Sequence, residues 1–492
     1  MFKVRFVGGI ACMVATMAGC GVATASPHAN SPVPSEPTLI NYVDPSMVRG
    51  LSTRSLNSGE AAGRRVHATY PAVADAPRLT EKLFKTVTAS LARFAGNDVP
   101  AGALPNPEFN VDWQLAAASP EVLGVRLRIG QSMGSGWSES RTTLWYDRAN
   151  RRALESPGLI RDSAALTTLA GIVRRELALR GPLVNPNALR PERSMFDSLG
   201  FNPRGDLVVE FDDKQVGLGV AGRVAVAVPS ATAAPLLSET GLRARRASVG
   251  TATLISQKDM LAASMDRPAA RSSKAGTVDC AKARCVALTY EDGPGPETGR
   301  LLNILGAYRA RATFFTLGSN ASARPELLRR MRDEGHLVAN HTWSHRDLSV
   351  LSSAMLADQL TRAQHAIVQA IGQVPTLMRP PYGGTDEQVT SVARRLGMSV
   401  VRWSVDAEDR DDPDPRAIAR RTVSQVRPGS IVLMRDFRPA TVDAAPAILR
   451  ELAAKGYTFV TVPELYGPRA MEPGRTYDSG TMSNVPDRRS MS

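Results

Sequence analysis

The sequence predicts an α/β fold for the C-terminal half of the chain and a separate α+β domain before it. In the C-terminal half, short apolar runs alternate with helical segments, which indicates buried parallel strands in an α/β sheet or barrel. In the preceding part, helical and strand-like patterns mix without strict alternation. Polar clusters also follow the C-terminal runs where each predicted strand ends.

The C-terminal elements are predicted from hydrophobic patterning. The apolar runs are 286–290, 312–317, 337–339, 376–378, 400–403, 430–434 and 458–461. The main helical segments are 355–371, 386–396 and 442–455. In the α+β domain the pattern predicts helices over 77–94 and 163–179 and strands over 122–129, 142–146 and 207–211.

The N-terminus has the layout of an export signal. Lys3 and Arg5 precede an apolar run that is shorter than the roughly 20 residues needed to span a bilayer. The small pair before Cys20 resembles the lipobox of bacterial lipoproteins, in which the cysteine is acylated, and predicts a membrane lipid anchor on Cys20. The alternative is an ordinary signal cleaved after 23–25. In both cases we expect an exported protein, at the outer face of the cytoplasmic membrane or in the cell wall.

Composition divides the rest of the 492-residue chain, whose 43% hydrophobic content allows two or three domains. The predicted order is an export signal, a disordered linker, an α+β domain, a second linker, the α/β domain and a disordered tail. Their bounds are 1–20, 21–64, 65–249, 250–279, 280–466 and 467–492.

Charge and cysteine usage restrict the partners. The formal charge of +13 favours wall polymers or lipid head groups as polyanions outside the membrane, although an arginine-rich proteome explains it equally well. No basic patch interleaved with aromatics is present, so we expect no nucleic-acid partner. Beyond the signal, Cys280 and Cys285 remain, and in an oxidising compartment this pair predicts one local disulfide.

Five polar clusters follow apolar runs, and in α/β barrels the chemistry gathers at the C-terminal ends of strands. We therefore expect them to converge on one mouth. The clusters are Glu291-Asp292, His341 with His345, Arg379 to Tyr382, Asp406 with Asp409, and Arg435-Asp436.

The histidine pair predicts a metal site. His341 and His345 are four residues apart, so on one helical turn they would face the same way. Asp292 would add a carboxylate, and two imidazoles with one carboxylate form a catalytic coordination set with open positions. Glu291 would then be free to act as a base beside the metal. The alternative is a pair of exposed or core histidines.

These motifs resemble those of the polysaccharide deacetylases with a NodB-homology domain, carbohydrate esterase family four, over about 190 residues. T-Y-E-D-G-P corresponds to the family's T-F-D-D-G-P, H-T-W-S-H to its histidine pair and R-P-P-Y-G to its third motif. V-R-W-S-V-D-A-E-D and S-I-V-L-M-R-D resemble the fourth and fifth.

The resemblance implies a distorted (β/α) barrel of the NodB type and a divalent metal, often zinc, held by Asp292, His341 and His345. It implies attack of water on the acetamide carbonyl of an N-acetylated sugar in cell-wall polysaccharide. The metal and the Tyr382 backbone N–H would hold the oxyanion.

The same resemblance assigns supporting roles. Arg379 would orient the base, and Asp406 would belong to the catalytic group that orients the acid. Trp403 and Leu433 are the candidate substrate-binding residues, with Leu433 lining the pocket for the acetyl methyl.

Several positions depart from the family pattern. Glu291 replaces the aspartate base, and Arg435 replaces the histidine acid; an arginine keeps its proton and cannot deliver it to a leaving amine. Arg435 could instead form a salt bridge with Asp406 or Asp409. Other departures are Arg410, for an aromatic residue, and Arg346, for a proline.

The segment Asp206–Pro229 resembles the end of an extracellular domain shared by lysozyme-sensing anti-sigma factors and some peptidoglycan deacetylases. The alternative is any strand-turn-strand unit. The resemblance implies wall or partner binding by the α+β domain, with peptidoglycan as substrate and lysozyme-like proteins as possible partners.

Two functions therefore stand. One is a metal-dependent polysaccharide N-deacetylase of the cell wall, with activity weakened at Arg435. The other is a non-catalytic glycan- or lysozyme-binding wall protein on a degenerate deacetylase fold. Retention of the metal ligands and of R-P-P-Y-G favours the enzyme, whereas Arg435 favours the binding protein.

Overall fold

The computed structural model describes residues 38–40, 43–56, 64–97, 106–133, 136–218, 223–249, 267–410, 412–467 and 471–480. The predicted export signal, including Cys20, lies outside these residues. Within the described ranges, no helix combines the length and the apolar character needed to cross a bilayer.

The N-terminal domain is built on a six-stranded sheet in the order β1-β2-β3-β4-β5-β6. Helix α1 (Pro77–Ala95) covers its apolar face with Leu79, Leu83 and Val87, which recur every four residues and are fully buried. Strands β2 and β3 are parallel, and the other neighbours are antiparallel. The strands are β1 (Leu51–Leu56), β2 (Arg65–Val73), β3 (Glu108–Ala118), β4 (Val122–Ser132), β5 (Trp137–Asp147) and β6 (Arg152–Glu155).

The domain also contains a second sheet, which has three antiparallel strands. Three helices accompany this sheet, and together they enclose a core of their own. The predicted separate α+β region is therefore confirmed. Its elements are α2 (Ser163–Leu177), β7 (Ser198–Phe201), β8 (Leu207–Phe211), β9 (Val224–Val228), α3 (Ser230–Ala233) and α4 (Glu239–Ser248).

The C-terminal domain is a curled half-barrel of parallel strands in the order β15-β16-β10-β11-β12-β13-β14-β18, with β17 beside β10. The predicted distorted (β/α) barrel is confirmed. Its strands are β10 (Arg284–Glu291), β11 (Ala312–Thr316), β12 (Leu337–Asn340), β13 (Leu377–Met378), β14 (Ser399–Val401), β15 (Val405–Asp406), β16 (Ile431–Arg435), β17 (Tyr457–Phe459) and β18 (Thr476–Tyr477).

Helices connect these strands and cover the sheet. Strand β10 is central, pairing with β11 and β16, and its run from Cys285 onward is buried throughout because both of its faces are covered. The helices are α5 (Thr298–Ala307), α6 (Gly318–Ala323), α7 (Pro325–Asp333), α8 (Ser353–Ile371), α9 (Glu387–Arg395), α10 (Pro415–Gln425) and α11 (Pro439–Ala454).

Three segments predicted as linker or tail contain ordered structure, so the disorder predicted for 21–64 and 467–492 is partly wrong. In the first linker (21–64), β1 pairs with β2 along its whole length. In the second (250–279), the Ala270 backbone N–H donates to the Val374 carbonyl at 2.7 Å. In the tail (467–492), β18 pairs with β14. Backbone hydrogen bonds hold these polar stretches in place, and such bonds cannot be predicted from amino-acid composition.

The predicted disulfide is present. Cys280 and Cys285 are bonded, with their Cα atoms 5.5 Å apart, directly before and at the start of β10. The bond therefore closes the turn that leads into the central strand.

Candidate active site

Asp292, His341 and His345 lie together at the C-terminal ends of β10 and β12. The Asp292 Oδ1 atom is 3.4 Å from His341 Nε2 and 3.2 Å from His345 Nε2. One ligand atom from each residue lies within 4.8 Å of the other two, and all three residues are buried. The structure thus brings together the three residues that the sequence predicted as metal ligands.

The two histidines do not share a helical turn, so that part of the prediction is wrong. They lie on an irregular loop after β12, in which Thr342 and His345 have positive φ values of 71° and 59°. The Thr342 N–H donates to Asn340 Oδ1 at 2.8 Å, and the His345 N–H donates to Thr342 Oγ1 at 3.0 Å. These bonds fold the loop so that both imidazoles face Asp292.

The three residues fit a divalent metal ion. The His341 Nδ1 atom lies 2.8 Å from the Arg379 carbonyl, so Nδ1–H donates there and Nε2 is left as a lone-pair donor. His341 Nε2 and Asp292 Oδ1 are buried without hydrogen-bond partners, as expected of atoms meant for a metal. Burial lowers the pKa of His345 well below its ordinary value, so its ring is neutral, the form that ligates metals.

Asp292 is held in its charged form. Burial favours its protonation, but His345, His341 and the nearby Arg435 cation outweigh burial and keep its pKa well below the usual range. The Asn320 side-chain N–H also donates to the Asp292 backbone carbonyl at 2.8 Å, which fixes the turn after β10.

Glu291 lies beside the metal ligands, with Oε2 3.9 Å from His341 Nε2. On its other side, Arg379 Nη1 is 3.6 Å from the same Oε2 atom. Arg379 is fully buried, donates to Thr289 Oγ1 at 2.8 Å and lies with its guanidinium 4.2 Å from the centre of the Phe315 ring. Burial lowers the pKa of Arg379 to about 10, which leaves it a cation at neutral pH.

Arg435, at the end of β16, contacts three carboxylates. Its guanidinium is 2.8 Å from Asp409 Oδ1, 3.1 Å from Glu291 Oε1 and 3.5 Å from Asp292 Oδ2. Burial opposes its charge, but Asp409, Glu291 and Asp292 outweigh burial and raise the pKa of Arg435 above its ordinary value. Asp409 is thus its partner, whereas the Asp406 carboxylate accepts from the Glu408 N–H at 2.8 Å.

The remaining candidates lie near the residues described above. Tyr382 has a positive φ of 59° and stands edge-on to His345, with ring centroids 4.8 Å apart. Trp403 is partly exposed and lies 5.6 Å from the Arg379 guanidinium, measured to the ring centroid. Leu433 is buried on β16 and pairs with Thr289 of β10.

Sequence patterns missed Asn320 and the contribution of the N-terminal domain. His67 on β2 stacks against His345, with ring centroids 4.7 Å apart. Asn320 follows β11, but no local motif marks it. The contact between His67 and His345 joins two domains, and no spacing along the chain could have predicted it.

A carboxylate and two imidazoles beside a second carboxylate, at the mouth of a parallel half-barrel, define the class of metal-dependent α/β-barrel hydrolases. A sequence model described as polysaccharide deacetylase matches residues 279–401. The chain is also 30% identical over 367 residues to the peptidoglycan-N-acetylmuramic acid deacetylase PdaC of Bacillus subtilis, covering 73% of this chain and 75% of that protein. The chain therefore belongs to the polysaccharide deacetylase family.

Other relatives match shorter stretches of the chain. The peptidoglycan-N-acetylglucosamine deacetylase PgdA of Listeria monocytogenes is 36% identical over 201 residues, which cover 41% of this chain and 42% of that protein. A chitooligosaccharide deacetylase of Rhizobium leguminosarum bv. trifolii is 35% identical over 196 residues, covering 37% of this chain and 91% of that protein. The alignment thus spans less than half of the Listeria protein.

Proposed function

We propose that this protein is a metal-dependent N-deacetylase that hydrolyses the acetamide of N-acetylated sugars in cell-wall polysaccharide, with peptidoglycan as the preferred substrate. The observation that carries the proposal is the buried cluster of Asp292, His341 and His345, whose ligand atoms lie within 4.8 Å of one another. Relatives named as peptidoglycan deacetylases support this substrate class.

Asp292, His341 and His345 would hold the ion, which we propose to be zinc. When bound, a divalent ion supplies Lewis acidity for an amide carbonyl and makes water a stronger acid. Glu291 takes the proton from the attacking water, since its carboxylate borders the metal ligands. Arg379, 3.6 Å from Glu291 Oε2, keeps that carboxylate in place. The Tyr382 backbone N–H donates to the carbonyl oxygen as its negative charge grows.

We expect proton delivery to the leaving amine to be the slow step of the reaction. Arg435 stands where the family has its histidine acid, and an arginine cannot give up its proton at any relevant pH. It can stabilise negative charge, and it holds Glu291 Oε1 at 3.1 Å. Glu291 would therefore have to return the proton that it took from water. We expect this double duty to reduce the rate, because a missing general acid typically costs roughly 10²–10⁴-fold.

One observation favours a second candidate, a glycan- or lysozyme-binding protein without turnover. Arg435 and Asp409 form a buried ion pair at 2.8 Å in the place of the catalytic acid. A degenerate enzyme could lose its catalytic acid in this way and keep a fixed ion pair at the same position.

Acetate release separates the two candidates. N-acetylglucosamine oligomers and purified peptidoglycan are incubated with metal-free protein and with protein given one equivalent of zinc. The deacetylase releases acetate and leaves free amines only when zinc is present. Binding of the oligomers without acetate release, in protein shown to hold zinc, would establish the second candidate.

We further propose that the protein works outside the cytoplasmic membrane as a lipoprotein. The basic start, the apolar run and the small pair before Cys20 support export and acylation. Cys20→Ser should abolish incorporation of labelled fatty acid, whereas Cys12→Ser should leave it unchanged. Labelling that persists in the Cys20→Ser variant would place the anchor elsewhere.

A further inference from the structure

The metal ligands are closed off from solvent in this structure. The exposed fraction of the side chain is 1% for His341 and 5% for both His345 and Asp292, and that of Glu291 is 6%. A sugar whose acetamide reacts here must touch the metal and Glu291. In this arrangement of the chain, these side chains offer almost no surface for a glycan strand to contact.

The N-terminal sheet contributes to this cover. Side chains alternate between the two faces of a strand. On β2, Val66 and Ala68 point into the domain's own core, so Arg65 and His67 lie on the opposite face. The register pairs Arg65 with Glu108 and His67 with Asn110 of β3. Two strands thus present a polar patch of these four residues, which we call the cap face.

The cap face lies on the loop that carries the histidine ligands. His67 stacks on His345 with the ring planes 24° apart, and Asn110 donates to the Ser344 carbonyl at 2.8 Å. Arg65 forms an ion pair with Asp347, and its guanidinium lies 4.6 Å from the centre of the Tyr382 ring.

Arg346 adds a further anchor to the cap face. Its guanidinium lies 3.4 Å from the centre of the Trp137 ring on β5, and its Nε atom is 3.7 Å from Glu108 Oε1. Arg346 is the residue that stands where the family pattern has a proline. The departure is thus used in the contact between the domains and not in the chemistry.

The contact between the two domains is mainly polar, and this affects how readily it can open. Its contacts are mostly ion pairs, hydrogen bonds and ring stacking between charged or polar side chains, with the partly buried Ala323 packed against the N-terminal core beside them. Interfaces between domains that have this character resemble transient protein contacts, and relative motion is expected of them. The cap face therefore suits a contact that opens.

We propose that the α+β domain is an intramolecular cap on the metal site, held closed by the cap face, and that a glycan reaches Glu291 and the metal only after the cap moves away. The identity of the substrate rests on the proposed function, but the closure does not. The cap would confine hydrolysis to conditions that open the contact between the domains.

Charge reversal at Arg65 tests the cap without relying on activity. Arg65→Glu places a carboxylate against Asp347 and should open the contact. Two rates are measured in the full chain: transfer of bound zinc to a chelator, and hydrogen–deuterium exchange of the 341–350 peptide in metal-free protein. We expect both to rise about tenfold or more, equivalent to about 1.4 kcal/mol, since an ion pair is replaced by two like charges in contact.

Arg152→Glu is the matched control, because Arg152 is exposed on β6, far along the same sheet. It should leave both rates within about twofold of the parent. Asn110→Ala removes the hydrogen bond to Ser344 without a charge change and should raise exchange more weakly; it also tests the cap if Arg65→Glu fails to fold. Parent-like exchange of 341–350 in a folded Arg65→Glu or Asn110→Ala variant would overturn the cap. Faster exchange without acetate release would uphold the cap and count against the proposed function.

Discussion

The adjacent carboxylates at the end of β10 point in different directions because the backbone turns between them. Glu291 is the last residue of the strand, and its side chain meets Arg379 and Arg435. Asp292 has a φ of 70°, in the left-handed region, which turns its carboxylate toward the histidines. The proposed base and the proposed metal ligand can therefore occupy neighbouring positions in the sequence.

Removal of one imidazole should remove the metal. His341→Ala takes away a ligand at the mouth while the half-barrel core stays intact, so we expect zinc affinity to fall by more than about 100-fold. The measurement is elemental analysis together with zinc titration. His365→Ala, which removes a histidine on α8, is the control. Equal zinc content in the His341→Ala variant and the parent would contradict the ligand set.

Restoring a titratable acid should raise the rate. In Arg435→His, an imidazole that can be protonated replaces a fixed cation beside Glu291 and Asp409. We expect deacetylation to increase about tenfold or more, equivalent to about 1.4 kcal/mol of barrier. The pH optimum should then follow an imidazole pKa. Unchanged activity in a folded, zinc-bound variant would show that the impairment lies elsewhere, for example at Arg410.

At the scale of elements, hydrophobic patterning predicted the strands that are buried in a core and missed the edge strands that are held mainly by backbone hydrogen bonds. The predicted strand 207–211 has the same bounds as β8, because five consecutive residues there are buried. The edge strands β1 and β18 are short and polar, so their hydrogen bonds to β2 and β14 leave no apolar pattern. The histidine loop brings both imidazoles to Asp292 without the predicted helical turn, because side-chain hydrogen bonds fold it instead.

The cap face contains a buried acid that should give stability a particular pH dependence. Burial raises the pKa of Glu108 to about 7, with Arg346 opposing and Asp347 reinforcing the shift. A carboxyl pKa raised on folding means that the folded state binds the proton more tightly. The stability it contributes is therefore present at low pH and is lost as the pH rises from about 4.5 through about 7.

Glu108→Gln should remove that part of the pH dependence. As the pH rises from 4.5 to 8, the free energy of unfolding of the variant should increase relative to that of the parent by on the order of 1 to 3 kcal/mol. Glu121→Gln, at an exposed position, should run parallel to the parent. The measurement is thermal unfolding of the full chain across this pH range. A difference between Glu108→Gln and the parent that does not change with pH would contradict the assignment.

At the scale of the whole molecule, the convergence of the three candidate metal ligands was predictable from the sequence, and their burial beneath another domain was not. Asp292, His341 and His345 follow strands whose ends must meet, so their convergence follows from the α/β pattern. The alternating polar residues of β2 and β3 would ordinarily indicate a face exposed to water. His67 and Asn110 are instead 2% and 3% exposed, because another domain covers them. Contacts between domains depend on the assembled surface, which local patterns do not encode.

The most direct test of the metal-dependent deacetylase compares the parent with Glu291→Gln, both loaded with one equivalent of zinc and both assayed for zinc content. Acetate release from N-acetylglucosamine oligomers is followed in each. We expect the parent to release acetate and the variant to keep its zinc while losing about 100-fold or more of the rate, since the amide cannot take a proton from water. Equal acetate release by the two proteins, or none from the zinc-loaded parent and none from the zinc-loaded Arg65→Glu variant in which the cap is open, would contradict the account.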